Sequence, residues 1–275
     1  MSLEDAPGTC KRMDFTTSMG GSNLTGLLFL AASGLAAGAC MGSLIANFVY
    51  RWPDRLAGMA TGRSRCESCG VVLHMADLVP VLSWLLFRGH CRHCGAPVSG
   101  FYTRVELAAG FIGLVPMAML PVVPGIAVAA AGWMLLAMAL IDLDHMILPD
   151  SLTLPLLVLG LLLALAMPFL AKDWPGPGIG RAVAGAVVGG GGLWLVREVY
   201  WRLRGREGLG LGDVKLMAAA GAWLGPEPLT WVLLTAALAG LAFALRRGLA
   251  LRSTAAVPFG PSLALAFWVT VLLSW

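Results

Sequence analysis

Gly208-Leu209-Gly210-Leu211-Gly212-Asp213-Val214-Lys215 is a glycine-rich turn that brings one carboxylate to the edge of an apolar segment. A second acidic stretch, Ile141-Asp142-Leu143-Asp144-His145-Met146-Ile147-Leu148-Pro149-Asp150, also lies where an apolar run meets a charged loop. A carboxylate in such surroundings costs several kcal/mol unless it is paired, neutralised or used in chemistry. The apolar runs around these two stretches decide the fold, and the acids within them point to function.

Of the 275 residues, 58% are hydrophobic and 12% charged. That is too apolar for a water-soluble domain and too long for a single span, so the sequence predicts an all-α polytopic membrane protein. Apolar runs of about 17 to 25 residues mark spans. They fall at Leu24–Val49, Val105–Leu120, Gly125–Ile141, Leu152–Leu170, Ile179–Tyr200, Val214–Leu224, Leu229–Leu245 and Ala256–Ser274, giving about eight transmembrane helices. The sixth is short enough that partial re-entry is an alternative for it. No cleavable signal peptide is expected, because Met1 to Gly21 is polar and the first apolar run, from Asn23 to Val49, exceeds a cleavable core.

The formal net charge of +4 sits in loops between the apolar runs, which is a topology signal rather than a nucleic-acid footprint. Membrane lipid, not nucleic acid, is the expected surrounding. Arg51, Arg55, Arg63, Arg65, Arg88, Arg92 and Arg104, then Arg197, Arg202, Arg204, Arg206 and Lys215, then Arg246, Arg247 and Arg252 fall on one side. The other side has Lys11, Arg12, Lys172 and Arg181. The richer side is read as cytoplasmic, with both termini outside. Asp142, Asp144, Asp150 and Asp213 then share the cytoplasmic face.

The one sizeable loop carries Cys66-Glu67-Ser68-Cys69-Gly70 and Cys91-Arg92-His93-Cys94-Gly95, two C-x-x-C pairs separated by 21 residues. Each pair can supply two corners of a tetrahedral site, and the glycine after each allows a tight turn around the ion. Cys66, Cys69, Cys91 and Cys94 are therefore predicted to hold a structural zinc, with no open position for catalysis. Leu78 to Phe87, between the pairs, is apolar but too short to span. It is expected on the membrane surface or against the metal site.

Asp142 ends an apolar helix, where the dipole disfavours an anion, so local structure gives no reason for it. Asp144 is offset from it around the helix, and Asp150 stands where a helix N-cap is expected. Capping competes as a reading of Asp213, but Gly210 and Gly212 open its backbone to close approach by another segment. Two carboxylates brought together cannot both ionise cheaply, which leaves an acid and a base over one water, as in aspartic peptidases. Gly189 to Gly192 inside the fifth span reads as close helix packing rather than a phosphate loop. Glu106 reads either as a helix-dipole partner or as a functional acid.

With these residues in place the sequence resembles the bacterial type IV prepilin peptidases, leader peptidase/N-methyltransferases of the GxGD class of membrane aspartic proteases. The resemblance rests on Gly42-Ser43 through Tyr50-Arg51-Trp52-Pro53, on Val79-Pro80-Val81-Leu82-Ser83-Trp84-Leu85 with both cysteine pairs, and on Val105-Glu106-Leu107. It continues through Ile141-Asp142-Leu143-Asp144-His145, Leu148-Pro149-Asp150-Ser151-Leu152-Thr153-Leu154-Pro155 and Gly210-Leu211-Gly212-Asp213-Val214-Lys215. It implies that Asp142 and Asp213 are the catalytic pair. Three departures stand out. Glu67 replaces a usual proline, Ala46 stands at the usual asparagine with Asn47 one place on, and Leu73 to Asp77 lacks the usual Trp-Tyr and Asn.

The resemblance further implies an enzyme of the bacterial inner membrane that serves type IV pilus or type II secretion systems. Such an enzyme cleaves the basic leader of prepilin or pseudopilin substrates after a glycine. It then methylates the new N-terminus from S-adenosylmethionine, although the residues display no nucleotide-binding motif. The expected organisation is a periplasmic tail (1–22), a first transmembrane helix (23–49), a cytoplasmic zinc-binding domain (50–104) and a transmembrane aspartic peptidase domain (105–275). The alternatives are a peptidase of the same class without methyltransferase activity and a proton- or cation-coupled transporter.

Overall fold

The computed structural model describes residues 22–53, 64–170, 176–206, 208–246 and 258–274. The predicted tail up to residue 21, with Cys10, Lys11 and Arg12, lies outside the described residues, as do Arg55, Arg63, Lys172, Arg247 and Arg252. The described residues form α1 (Ser22–Arg51), a short α2 (Leu82–Leu86), α3 (Gly100–Met119), α4 (Val122–His145), α5 (Asp150–Leu170), α6 (Ile179–Arg204), α7 (Leu211–Leu224), α8 (Leu229–Arg246) and α9 (Gly260–Ser274). Apart from α2, these follow the eight predicted spans. Strands are absent among the described residues apart from two isolated bridges, Arg65 with Val72 and His90 with Pro97. The protein is an all-helical, multi-pass membrane protein.

Among the described residues five helices, α1, α4, α5, α6 and α8, are long and apolar enough to cross a membrane, and α9 is a shorter apolar helix. Large apolar side chains face outward on them, including Phe29 at 73% exposure, Leu162, Val187 and Trp231. An outer surface of this kind is compatible with hydrocarbon and not with water. Successive long helices run antiparallel. As a result the C-terminal ends of α1, α4, α6 and α8 and the N-terminal ends of α3, α5, α7 and α9 gather at one end of the bundle.

Close approach along two helix pairs depends on missing side chains. On α1, Gly34, Gly38 and Gly42 recur every fourth residue and lie against Gly113, Ala109 and Glu106 of α3; a Cβ at Gly42 would stand 2.5 Å from the Glu106 Cα. On α6, Gly185 lies against the Gly221 carbonyl, and a Cβ at Gly189 would stand 2.6 Å from the Met217 carbonyl oxygen of α7. With no water in the hydrocarbon to drive them together, such helices associate by backbone proximity. The glycine run therefore packs helices as expected at Gly189 and Gly190, whereas Gly191 and Gly192 face open space.

The alternative of re-entry for the sixth segment is corrected. α7 is one continuous helix whose far end turns at Gly225 (φ 80°), beside the Arg181–Glu227 ion pair of 2.7 Å. At 1.5 Å per residue it is only about 21 Å long. It remains apolar and buried because α5, α6, α8 and α9 pack around it, with Leu216, Ala219, Ala220, Ala222 and Trp223 at 1% exposure or less. Trp223 donates to the Leu156 carbonyl of α5 at 2.9 Å. α3 begins at Gly100 rather than Val105, because the Ser99 hydroxyl accepts the Phe101 N–H at 3.2 Å and caps it.

Candidate active site

Asp142 and Asp213 come from different helices and lie at the end of the bundle where α4 finishes and α7 begins. Asp142 lies in the last turn of α4, which closes at Met146 in the left-handed conformation (φ 55°). The Asp142 side chain is buried at 6% exposure. Its Oδ2 accepts the backbone N–H of Gly260, the first residue of α9, at 3.0 Å. That donor offsets the unfavourable end of the α4 dipole.

Gly210 is the N-cap of α7, which makes Asp213 its third residue. The Asp213 carboxylate reaches back to the Gly210 backbone, in the manner of the acid in a capping box. Asp213 is thus a helix-start acid in local geometry and a buried acid, at 8% exposure, in tertiary context. The two carboxylates are near enough for the charge of Asp142 to act on Asp213.

Leu148, 8% exposed, is the wedge that sets this spacing. A Cβ on Gly212 would stand 2.7 Å from the Leu148 Cβ, and one on Gly260 would stand 3.2 Å from its Cδ2 and 2.6 Å from the Asp142 Oδ2. Both glycines are required by contact: one lets Leu148 in beside Asp213, the other lets α9 reach Asp142.

The remaining acids separate cleanly. Asp144 is exposed. Asp150 is not an isolated cap; it is the first residue of α5 and holds Lys215 of α7 at 2.6 and 2.8 Å. Glu106 lies in the second turn of α3, not at its start, so the dipole reading fails. Its Oε2 accepts the N–H of Val81, a β-branched residue held at φ 63°. A valine at positive φ is strained, and the buried glutamate accepts its N–H in that conformation.

The four cysteines converge. Each pair closes a small hairpin: Gly70 N–H donates to Cys66 O and Gly95 N–H to Cys91 O, both at 2.9 Å, with Cys66 N–H to Val71 O and Cys91 N–H to Ala96 O beside them. Gly70 (φ 66°) and Gly95 (φ 71°) take the left-handed turn that other residues resist. The four sulfurs lie within 4.8 Å of one another. The 3.9 Å between Cys66 and Cys94 matches the edge of about 3.8 Å for a tetrahedron with bonds of 2.3 Å. The Cys69 and Ser68 backbone amides lower the Cys66 thiol to about 6. Cys94 receives the Ala96 amide, yet desolvation and the three facing sulfurs push it up to about 11. A divalent cation among them would relieve that conflict, so the donor set fits a metal.

The type IV leader peptidase family matches residues 129–245, which hold both aspartates, and the bacterial Peptidase A24 N-terminal domain matches residues 36–120, which hold the four cysteines. A prepilin leader peptidase/N-methyltransferase of Dichelobacter nodosus is 38% identical over 222 residues, 80% of this chain and 74% of that protein. The chain belongs to the type IV leader peptidase family.

Other relatives of this family member carry the same name. One from Aeromonas hydrophila is 41% identical over 215 residues, 76% of this chain and 71% of the relative. One from Dickeya chrysanthemi is 37% identical over 259 residues, 84% of this chain and 88% of the relative. No solved structure matches the chain. The sequence reading missed two parts of the site of this leader peptidase family chain. Gly260 could have been found from the Gly-Pro pair opening the last apolar run, but the wedging role of Leu148 has no local signal.

Proposed function

We propose that the chain is a membrane aspartic endopeptidase that removes the basic leader of prepilin-like or pseudopilin substrates after glycine, and then methylates the new N-terminus from S-adenosylmethionine. The carrying observation is that Asp142 and Asp213, each from a different helix end, are both buried and near enough for the charge of one to act on the other, with the Gly260 amide on Asp142. The arrangement favours this reading over a transporter, because the carboxylates lie at one end of the bundle rather than at its midplane.

The chemistry follows from the pair. One aspartate takes a proton from water as the water oxygen bonds to the scissile carbonyl carbon, and the other gives its proton to the carbonyl oxygen. The tetrahedral carbon then reforms its C=O, the C–N bond breaks, and a proton passes to the leaving amine. Methyl transfer moves a CH3 group from the sulfonium of the donor to that amine; the C–S bonding pair stays on sulfur and one N–H proton leaves to solvent.

Zinc held by Cys66, Cys69, Cys91 and Cys94 would tie the two hairpins together and brace residues 50–104 as a cytoplasmic lobe. Residues 23–49 form the first span and residues 105–275 the peptidase domain. The clustering of Arg51, Arg65, Arg88, Arg92, Arg104, Arg202, Arg204, Lys215 and Arg246 at the end that holds the acids supports the cytoplasmic face of the inner membrane.

The test is mass spectrometry of a prepilin-like substrate incubated with purified protein, with and without S-adenosylmethionine. Asp142→Asn and Asp213→Asn should each lower cleavage by about 100- to 10,000-fold, the contribution of a positioned acid or base. Near wild-type cleavage by either folded variant would refute the pairing.

A further inference from the structure

α6 and α8 run in the same direction and both pack on α7. They approach each other where the Leu229 side chain lies 3.2 Å from the place a Cβ on Gly189 would occupy. One turn further along each helix stand Leu193 and Leu233, and there a cavity of about 380 Å³ separates the two helices. It continues past Val196 to Tyr200, toward the end of the bundle that holds the acids. Tyr200 is seven residues beyond Leu193, so the cavity is a groove about 10 Å long on the α6 side.

The groove ends on the two backbone segments that serve the carboxylates. Leu209 lines it and immediately precedes Gly210, whose backbone the Asp213 carboxylate reaches. Phe259 lines it and immediately precedes Gly260, whose N–H binds Asp142 at 3.0 Å. Both aromatic rings at this end rest on glycines: a Cβ on Gly208 would stand 2.5 Å from the Tyr200 Cε1, and one on Gly240 would stand 3.7 Å from the Phe259 Cδ2. The inner end of the groove is thus one chain position from a partner of each acid.

The walls decide what the groove can take. Leu193 is 7% exposed at its base, whereas Val196 at 60% and Leu233 at 39% form a mouth on the outer, lipid-facing surface. The described lining holds no carboxylate, and its one charged member is Arg197. A lysine or arginine of a basic leader would give up water here without gaining an anionic partner. The chain on the other side of the scissile bond is therefore the part that suits the groove. We propose that the groove between α6 and α8 binds an apolar helical segment following the scissile bond, which enters from the lipid and seats large side chains between Leu193, Val196 and Leu233. The assignment rests on the peptidase half of the proposed function. At 1.5 Å per residue, 10 Å of groove spans about seven residues of helix, so it contacts side chains about three to seven places after the bond.

The test compares, on the full-length protein, a prepilin-like substrate carrying leucines at the third to seventh positions after the scissile glycine with one carrying alanines there. Wild-type kcat/KM should be at least about tenfold higher for the leucine substrate. Val196→Trp fills the groove from its exposed mouth without entering the core, and should bring that ratio close to one. Leu162→Trp, on an exposed face of α5, should keep the wild-type ratio. A ratio of two substrates on one protein does not depend on how much of that protein is folded. In the Asp213→Asn protein, which should hold substrate uncut, photo-leucine at the same positions should crosslink within residues 193–200 and 229–236, and photo-leucine in the leader should not.

If the wild type cleaves, but Val196→Trp keeps the wild-type ratio and crosslinks map elsewhere, the groove holds lipid tails only, and the assignment is wrong while the proposed function stands. If leader positions crosslink to residues 193–200, the groove holds the leader and the assignment is overturned. If the folded wild type cleaves neither substrate, the peptidase reading fails and the assignment falls with it.

Discussion

Gly260→Ala is the substitution that most directly tests how the site is held. A methyl group there would sit 2.6 Å from the Asp142 Oδ2 and 2.9 Å from its Cγ, where ordinary contact begins at about 3.4 Å. The carboxylate would have to retreat by about 0.8 Å, and the 3.0 Å bond from the Gly260 N–H would stretch with it. Misplacing a catalytic group by about 1 Å costs on the order of 100-fold in rate. Gly240→Ala on α8 is the internal control, since its Cβ would meet nothing nearer than the Ser262 Oγ at 3.5 Å. Single-turnover cleavage of a prepilin-like peptide, followed by mass spectrometry, should show Gly260→Ala slowed by about two orders of magnitude and Gly240→Ala near wild type. Thermal unfolding in detergent should separate a shifted carboxylate from a disrupted bundle. Full activity in a folded Gly260→Ala protein would mean that Asp142 does not work from the position described.

Two further outcomes are expected. Gly221→Ala forces its methyl into the Gly185 backbone and should destabilise the protein by about 1–3 kcal/mol, whereas Gly192→Ala, which meets nothing within 4 Å, should stay within about 0.5 kcal/mol. Denaturant titration of the two variants checks this, and equal stability would disprove the contact argument. Cys66→Ser should lower the metal content of the purified protein and expose residues 64–98 to limited proteolysis; an unchanged metal content would remove the four-sulfur site.

The amino-acid sequence by itself determined the class of fold, the approximate number of helices and the pairing of the cysteines. Each is written in local pattern. Runs of apolar residues can be stable only in hydrocarbon or a buried core, and C-x-x-C-Gly carries the turn and both ligands within five residues. The aspartates were legible for the same reason, because Asp142 ends an apolar run where its own helix does not favour it. The small-residue face of α1 was present too, as Gly34, Gly38 and Gly42 at a spacing of four.

Only the tertiary structure decided how these parts meet. Gly260 lies far along the chain from Asp142, and its amide becomes a partner only because α9 packs antiparallel on α4. Asp150 has the signature of a helix cap, yet long-range packing gives it Lys215 instead. Glu106 resembles a helix-start acid until Ser99 caps α3 a full turn earlier and carries it beneath Val81. In each case the local preference was worth about 1 kcal/mol or less. The packing of whole helix faces stabilises the fold by far more than that, and it overrode the local preference.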